Sequence, residues 1–410
     1  MTSNDIFSQI SARQGPGFGA GLCAFSQLLA RLNNPQNSFQ IIHVAGTNGK
    51  GSVCTLLAHA LTCAGNRTGL FVSPHLVSPT ERITVNGNEI SPNDFALCVR
   101  RVLAVEQEPL NFFEILTAAA FIYFAETKCK YAVLETGLGG RKDPTNVCLP
   151  RASVITSVGL DHIQILGDSV EKIAAEKAGI CKPGVPLFCG PVSPQAREII
   201  KQAAAAQKSP VYFVREGEPF SPAGVDVSCG NFLIKKEKNV YPLHLMGQFQ
   251  TVNACLVWQV LRFLQVSEDA ILTAFVTVQL PGRFEVIKKG EKTFILDGAH
   301  NPQAVAALVN FWQQTPYAKN AALVCGFMKD KDYQKMLELL VPHFQQIIVT
   351  QPPSARAAGR AELSRFLTRT GITFEPDLQA ALCLAGELSH TVLCTGSFYL
   401  VGAARQQLLR

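Results

Sequence analysis

Short apolar runs that end in polar residues alternate along this chain with stretches whose apolar residues recur every three to four positions. The first pattern is that of buried strands, the second that of helices laid over them. Runs at Phe39–Val44, Gly69–Val72, Tyr131–Glu135, Ser153–Ser157 and Val185–Cys189 are predicted as strands. Helical patterns fall between them at Gly51–Ala64, Asn93–Glu106, Phe112–Lys128 and Val170–Ala178. Val211–Leu245 breaks this rhythm and reads as short strands and loops, with Pro219 and Pro222 excluding a helix. Helices resume at Thr251–Leu264 and again from Glu268. Pro281-Gly282-Arg283 then punctuates the chain. Beyond it, strands are expected at Thr293–Leu296, Ala321–Cys325, Gln346–Val349 and Thr391–Cys394. Helices are expected at Pro302–Gln313, Asp332–Leu340, Arg360–Thr370, Leu378–Leu388 and Phe398–Leu409. Such alternation predicts an α/β fold: a mainly parallel sheet flanked by helices, then a smaller α/β unit. The division is set at residues 1–282 and 283–410, with Pro281–Phe284 as a hinge.

Composition agrees with two domains, since 410 residues exceed what one core usually holds. Hydrophobic residues make up 47% and charged residues 17%, which describes a folded, well-buried chain. A net charge of +6 suits small anionic substrates, and with no basic run it gives no reason to expect nucleic acid. The 13 cysteines are odd in number and form no Cys-x-x-Cys pair, so they read as reduced core thiols. Met1–Gln14 lacks the pattern of a secretory leader, and no apolar run reaches membrane-spanning length. A cytoplasmic, monomeric protein without a membrane partner is expected.

The strongest chemical signal lies where the run Ile41–Ala45 enters Gly46-Thr47-Asn48-Gly49-Lys50-Gly51-Ser52 and a helix follows. Glycines let the backbone curl with its N–H groups inward, and the helix N-terminus adds partial positive charge. Lys50 adds a full charge, and the hydroxyl of Thr47 or Ser52 could reach phosphate or a magnesium ion. This is a P-loop-type cradle with an irregular pattern: Val44 stands where the strict motif has its first glycine, and Gly51 separates Lys50 from Ser52. Other strand ends are polar too, at Ser73-Pro74-His75, Glu135–Arg141 and Gly159–His162. Ligands collect at such edges. Taken singly, Glu135 could equally be a strand-end ion pair and His162 a loop imidazole. Lys177, on the helical pattern Val170–Ala178, would ordinarily be a solvated residue. Asp297-Gly298-Ala299-His300-Asn301-Pro302 ends a strand and opens a helix, with Asn301 as its N-cap.

Together these blocks resemble the folylpolyglutamate synthase and dihydrofolate synthase family of the Mur-ligase superfamily. The resemblance runs through Leu32–Gln36, His43–Ser52, Ser73–Leu76, Glu81–Ile83, Phe113–Thr117, Glu135–Asn146, Asp161-His162 and Ala175–Ile180. It continues at Pro281–Arg283, Asp297–Pro302, Lys329–Asp332 and Thr395–Ser397. It implies a Mur-type ATP-binding domain followed by a Rossmann-like glutamate ligase domain. It also implies an ATP-dependent ligase that joins L-glutamate to dihydropteroate or a reduced folate through an acyl phosphate. Gly46–Ser52 with Asn253, Arg283 and Asp297 would bind ATP. Ser73, Glu135 and His162 would hold Mg2+, together with Lys177 in N6-carboxylated form; imidazole alone would have suggested a transition metal. Lys50, Lys177 and His300 would be catalytic, and Arg82, Phe113, Asp143, Asn146 and Ser397 would meet substrate.

The chain departs from the family at Lys142 and Pro144, where leucine and alanine are usual, at Phe249, where histidine is usual, and at Ile163, where threonine is common. Two rival readings are a Mur-type ligase acting on a cell-wall precursor and a nucleotide-binding regulator without turnover.

Overall fold

Eight strands build the larger sheet: β1 (Gln40–Ala45), β2 (Thr68–Phe71), β3 (Ile83–Val85), β4 (Asn88–Glu89), β5 (Tyr131–Glu135), β6 (Ala152–Ile155), β7 (Leu187–Cys189) and β8 (Val211–Phe213). They lie in the order β4-β3-β2-β5-β1-β6-β7-β8 in this computed structural model, which describes residues 3–13, 19–214, 221–226, 231–236 and 239–410. β2, β5, β1, β6, β7 and β8 are parallel, while β3 pairs antiparallel with β2 and β4 antiparallel with β3 at one edge. β2, β5 and β6 are buried at every position and β1 at all but its first, which is why they read as unbroken apolar runs.

A three-stranded antiparallel sheet follows, from β9 (Ser221–Asp226), β10 (Asn231–Lys236) and β11 (Asn239–Leu243). The expectation of strands and loops in Val211–Leu245 thus holds for its described residues; Pro219 lies outside them. The last sheet comprises β12 (Glu285–Lys289), β13 (Lys292–Asp297), β14 (Ala322–Cys325), β15 (Gln346–Val349), β16 (Ile372–Phe374) and β17 (Thr391–Thr395). Its order is β12-β13-β17-β14-β15-β16, with only β12 antiparallel. The expected α/β architecture, a large mainly parallel sheet and a smaller one, is present.

The helices explain themselves by their faces. Phe112–Glu126 is apolar almost all round because it is buried almost all round, and Asn111 with Glu114 forms a capping box at its start. Four helices were not anticipated: Ser3–Ser11, Leu22–Arg31, Ile163–Leu166 and Pro194–Ala206. In the last, only Ala196, Ile200 and Ala204 are buried, so small side chains carry its apolar stripe. The edge strands β4, β12 and β16 and the three-residue β3 beside an edge were also not anticipated, being short or half-exposed.

One continuous apolar core joins the helix Lys50–Cys63 (Leu56, Leu57) to the last sheet (Ile295, Leu323) through Phe275 and Phe284. Phe284 sits at the crossing between the sheets, its ring edge-on to Phe311 at 4.7 Å. The C-terminal ends of β1, β5 and β6 open toward that crossing, where the chain passes to opposite sides of β1 and an open α/β sheet leaves a crevice.

Candidate active site

The phosphate loop is pinned from below by β6 and the residues that follow it. Thr47 N–H donates to Ser157 O (2.9 Å), Asn48 N–H to Ser157 Oγ (3.0 Å), and Thr156 Oγ1–H to Asn48 O (2.6 Å). Thr47 Oγ1 accepts from Gly159 N–H at 3.0 Å. Two glycines make this possible. Gly46 has φ +155°, and a Cβ there would lie 1.9 Å from Thr156 Oγ1; Gly49, at φ +85°, caps the helix Lys50–Cys63 with Asn253 Oδ1 in the way of any side chain. Gly46→Ala is therefore expected to cost on the order of 1–3 kcal/mol of stability. A urea midpoint equal to that of the parent chain would refute this.

Lys50 Nζ curls back to donate to Gly46 O (3.1 Å) and Thr47 O (3.4 Å), and lies 3.9 Å from Glu135 Oε1. Glu135, at the end of β5, is buried and takes the Ser73 N–H on Oε2 at 3.0 Å. Burial pushes its pKa up, against the pull of Lys50, the Ser73 amide, Arg283 and Arg82. Lys177 is not the solvated residue its helix suggested. It is buried, makes no hydrogen bond or ion pair among the described residues, and faces the same cavity as Lys50. Burial, aided by the charge of Lys50, lowers its pKa to about 7, with Asp161 and Asp143 opposing.

The last sheet closes the other side. Asn301 caps the helix Pro302–Trp312 by accepting from Ala304 N–H, as expected, but its amide also donates to Asn48 Oδ1 (3.0 Å) and Asp161 Oδ2 (3.3 Å). Lys331 Nζ donates to Asp161 Oδ1 at 2.6 Å and lies 3.2 Å from His162 Nε2. Burial opposes ionising Asp161, yet Lys331 and the neighbouring imidazoles hold its carboxyl well below the usual range. His162, at φ +50°, is lowered to about 4 by burial and then by Lys331. His300 is likewise lowered to about 4 by burial and Lys331. Its Nδ1 lies 2.9 Å from Gly298 O, so Nδ1 carries the proton and Nε2 is left as an acceptor. Arg283 stacks over Phe398 at 4.3 Å. Asp297 accepts from Phe284 N–H and Ala299 N–H, both at 2.9 Å, and fixes the turn that presents His300.

Gly46–Gly51, Ser73, Glu135, His162, Lys177, Arg283 and His300 thus line one cavity of about 130 Å³. A groove of about 870 Å³ adjoins it, sharing Ser73, Glu135, Arg283 and Phe398. Other expected site residues stand back from it. Ser52 is buried and takes a hydrogen bond from Gln250, which in turn accepts from Asn253. Three substrate-side candidates have side chains that hydrogen-bond within the fold, although Asn146 Oδ1 is left without a partner among the described residues. Asp143 accepts from Leu138 N–H, Thr145 N–H and Thr145 Oγ1–H; burial raises its pKa to about 6. Asn146 donates to Arg141 O and Gly179 O, and Ser397 caps the helix Phe398–Leu408. Arg82 is buried, donates to His75 Nδ1 and lies over Phe112, while Phe113 packs against Phe71. Asp161, Lys331 and Asn48 carry the polar link between the sheets, a role no spacing in the sequence marked.

Among the described residues, no three His, Cys, Asp or Glu side chains gather to hold a metal by themselves. Ser73, Glu135 and His162 around a phosphate cradle suit a hard divalent ion that brings phosphate oxygens and water with it, and not an all-protein zinc site. No described helix is long and apolar enough to cross a membrane.

The Mur ligase middle domain family matches residues 44–261, and the Mur ligase glutamate ligase domain family matches 282–398. The dihydrofolate synthase/folylpolyglutamate synthase of Bacillus subtilis is 34% identical, the match covering 98% of each chain. The folylpolyglutamate synthase of Mycobacterium tuberculosis, solved with ADP and AMPPCP, superposes with a TM-score of 0.90 at 30% identity, over 99% of this chain and 98% of that one. The bifunctional folylpolyglutamate synthase/dihydrofolate synthase of Yersinia pestis, solved with AMPPNP and a Mn ion, gives 0.88 at 28% identity, over 100% and 98%. This chain belongs to the folylpolyglutamate synthase/dihydrofolate synthase family of the Mur ligases.

Proposed function

We infer that the chain is an ATP-dependent ligase that forms an amide between a pteroate or folate carboxylate and L-glutamate. The observation that carries this reading is the meeting of two sets of groups on one cavity. Lys50, Glu135 and Lys177 come from the larger sheet, Arg283 and His300 from the smaller.

In the first step a carboxylate oxygen of the acceptor attacks the γ-phosphorus of ATP. The bond to the β,γ-bridging oxygen breaks, and its electron pair leaves with ADP. Lys50 and Arg283 stabilise charge on the transferring phosphoryl group. In the second step the neutral amine of glutamate attacks the acyl carbon, and the tetrahedral intermediate collapses with loss of inorganic phosphate. With its pKa near 4, His300 stays neutral at pH 7. It serves as a hydrogen-bond acceptor that orients the amine, and the amine proton passes on to water or the departing phosphate. A magnesium ion beside Ser73, Glu135 and His162 would supply charge against the phosphate oxygens.

Lys177 is the residue we assign to N6-carboxylation. An amine neutral near pH 7 can take up carbon dioxide and release one proton, which turns a cation into a hard oxygen donor. We assign residues 1–282 to ATP binding and 283–410 to glutamate ligation, with closure about Pro281–Phe284 excluding water. The cysteines among the described residues are unpaired and mostly buried, which suits a reducing compartment, and we place the protein in the cytoplasm as a monomer.

The test is phosphate release by purified protein with ATP, magnesium, glutamate and either dihydropteroate or tetrahydrofolate. Release that requires both acceptor and glutamate supports the ligase, and the acceptor used tells which of the two activities is present. Release with nucleotide-sugar acceptors alone would point to the cell-wall branch. No release with any acceptor would leave a nucleotide-binding regulator.

A further inference from the structure

Two lysines face each other, and among the described residues neither has an ion-pair partner. Lys289 ends β12, Lys292 begins β13, and the two are direct cross-strand partners beside the turn at Gly290-Glu291. Like charges opposite one another weaken a sheet. Among the described residues neither lysine forms an ion pair. Lys289 Nζ donates to Gln407 O at 3.2 Å. Lys292 is accommodated by Gly386, where a Cβ would lie 3.1 Å from its Nζ.

Between this hairpin and the helices Leu378–Leu388 and Phe398–Leu408 lies a cavity of about 450 Å³. Phe294, Leu382 and Leu408 give it an apolar floor, Lys289, Lys292 and Arg410 line its rim, and no acidic side chain lines it. Arg410 also lines the groove that begins at Ser73 and Arg283, so the groove and the cavity meet there. Three acidic side chains line the groove, and each accepts hydrogen bonds within the fold: Glu81 from the backbone of Leu76, Val77 and Ser78, Glu89 from Thr80 Oγ1, and Glu135 from Ser73 N–H. The helix Phe398–Leu408 spans the distance, with Phe398 at the reaction centre and Leu408 at the cavity. Its 11 residues cover roughly 16 Å at 1.5 Å each.

We propose that groove and cavity together form a track for the γ-linked oligoglutamate tail of the acceptor, with Arg410, Lys289 and Lys292 meeting its free α-carboxylates. This rests on the ligase reading above. The reacting γ-carboxylate lies by Lys50 and Arg283, and the rest of the tail leads away from it. Scaling the ~3.5 Å reach of an α-linked residue to the five backbone bonds of a γ-linked one gives roughly 6 Å per glutamate. An acceptor with three or four glutamates therefore brings an α-carboxylate to the lysines, and a monoglutamate acceptor brings none. Contacts to these partly exposed cations are salt-sensitive.

The test compares tetrahydropteroyl mono- and tetraglutamate as acceptors for the parent chain and the double variant Lys289→Gln, Lys292→Gln. KM for the tetraglutamate is expected to rise about tenfold and the product ladder to stop at shorter chains. KM and kcat for the monoglutamate should stay within about twofold. Raising salt should reproduce the tetraglutamate effect in the parent chain, and Lys292→Arg should keep parental behaviour. Equal shifts with both acceptors, or no shift with either, overturn the track. A parent chain inactive with both acceptors overturns the ligase reading instead.

Discussion

Lys50→Ala is expected to lower turnover by at least about 10³-fold, the loss that follows when one preorganised charge is removed from a developing oxyanion. The argument rests on position. Lys50 Nζ is held over the loop by two backbone carbonyls and is the cation nearest to Glu135. Removing it deletes charge at the phosphoryl group and lets the pKa of Glu135, already raised by burial, climb further. The fold should survive, because the loop is pinned by Thr156, Ser157 and Gly159 and not by Lys50. Phosphate release together with a thermal melt reads both parts. Turnover within tenfold of the parent chain would remove Lys50 from the chemistry, and a collapsed melting curve would make it a structural residue.

Lys177→Met should separate activity from stability in opposite directions. Turnover falls to background, since thioether cannot carry a carboxylate group. Stability rises, and the sign follows from the proton balance. The unfolded chain holds the Lys177 proton to about 10.5 and the folded chain releases it near 7. Between those values the unfolded state binds more protons, so stability climbs with pH through that window. Below pH 7 the cost of burying the ammonium is present in full. Methionine is close in shape and carries no charge to bury. The variant should therefore melt above the parent chain at pH 6.5, with the gap closing toward pH 10.5. Equal melting points at pH 6.5 would show that Lys177 is already relieved of its charge. Labelling with ¹³C-bicarbonate would then reveal a carbamate carbonyl signal that the methionine variant lacks.

The strand–helix alternation and the phosphate loop were legible because each is local. A buried parallel strand is an apolar run, and the glycines of the loop sit within one turn of the helix they precede. Asn301 was legible as a cap for the same reason, whereas its bonds to Asn48 and Asp161 depend on residues 253 and 140 positions away. Lys177 misled because helical periodicity reports one face of one helix. Its burial depends on distant parts of the chain, such as the turn after β5, where Gly140 packs against the Lys177 carbonyl and Arg141 N–H donates to Glu176 O. Asp143 and Asn146 show the converse: their sequence neighbourhood marks them as polar residues beside a site, and only the fold shows the Asp143 carboxylate and the Asn146 amide nitrogen bonded to nearby backbone. Lys331 stood in a recognised block, but only the closing of the smaller sheet against the larger brings it to Asp161.

The Asn48–Asn301 bond has a kinetic meaning. Asn48 belongs to the loop we assign to phosphate binding, and Asn301 to the helix that follows β13 in the opposite sheet. The sheets cannot part without loosening a residue of that loop. On that assignment, nucleotide release and opening are expected to occur as one event with a single residence time.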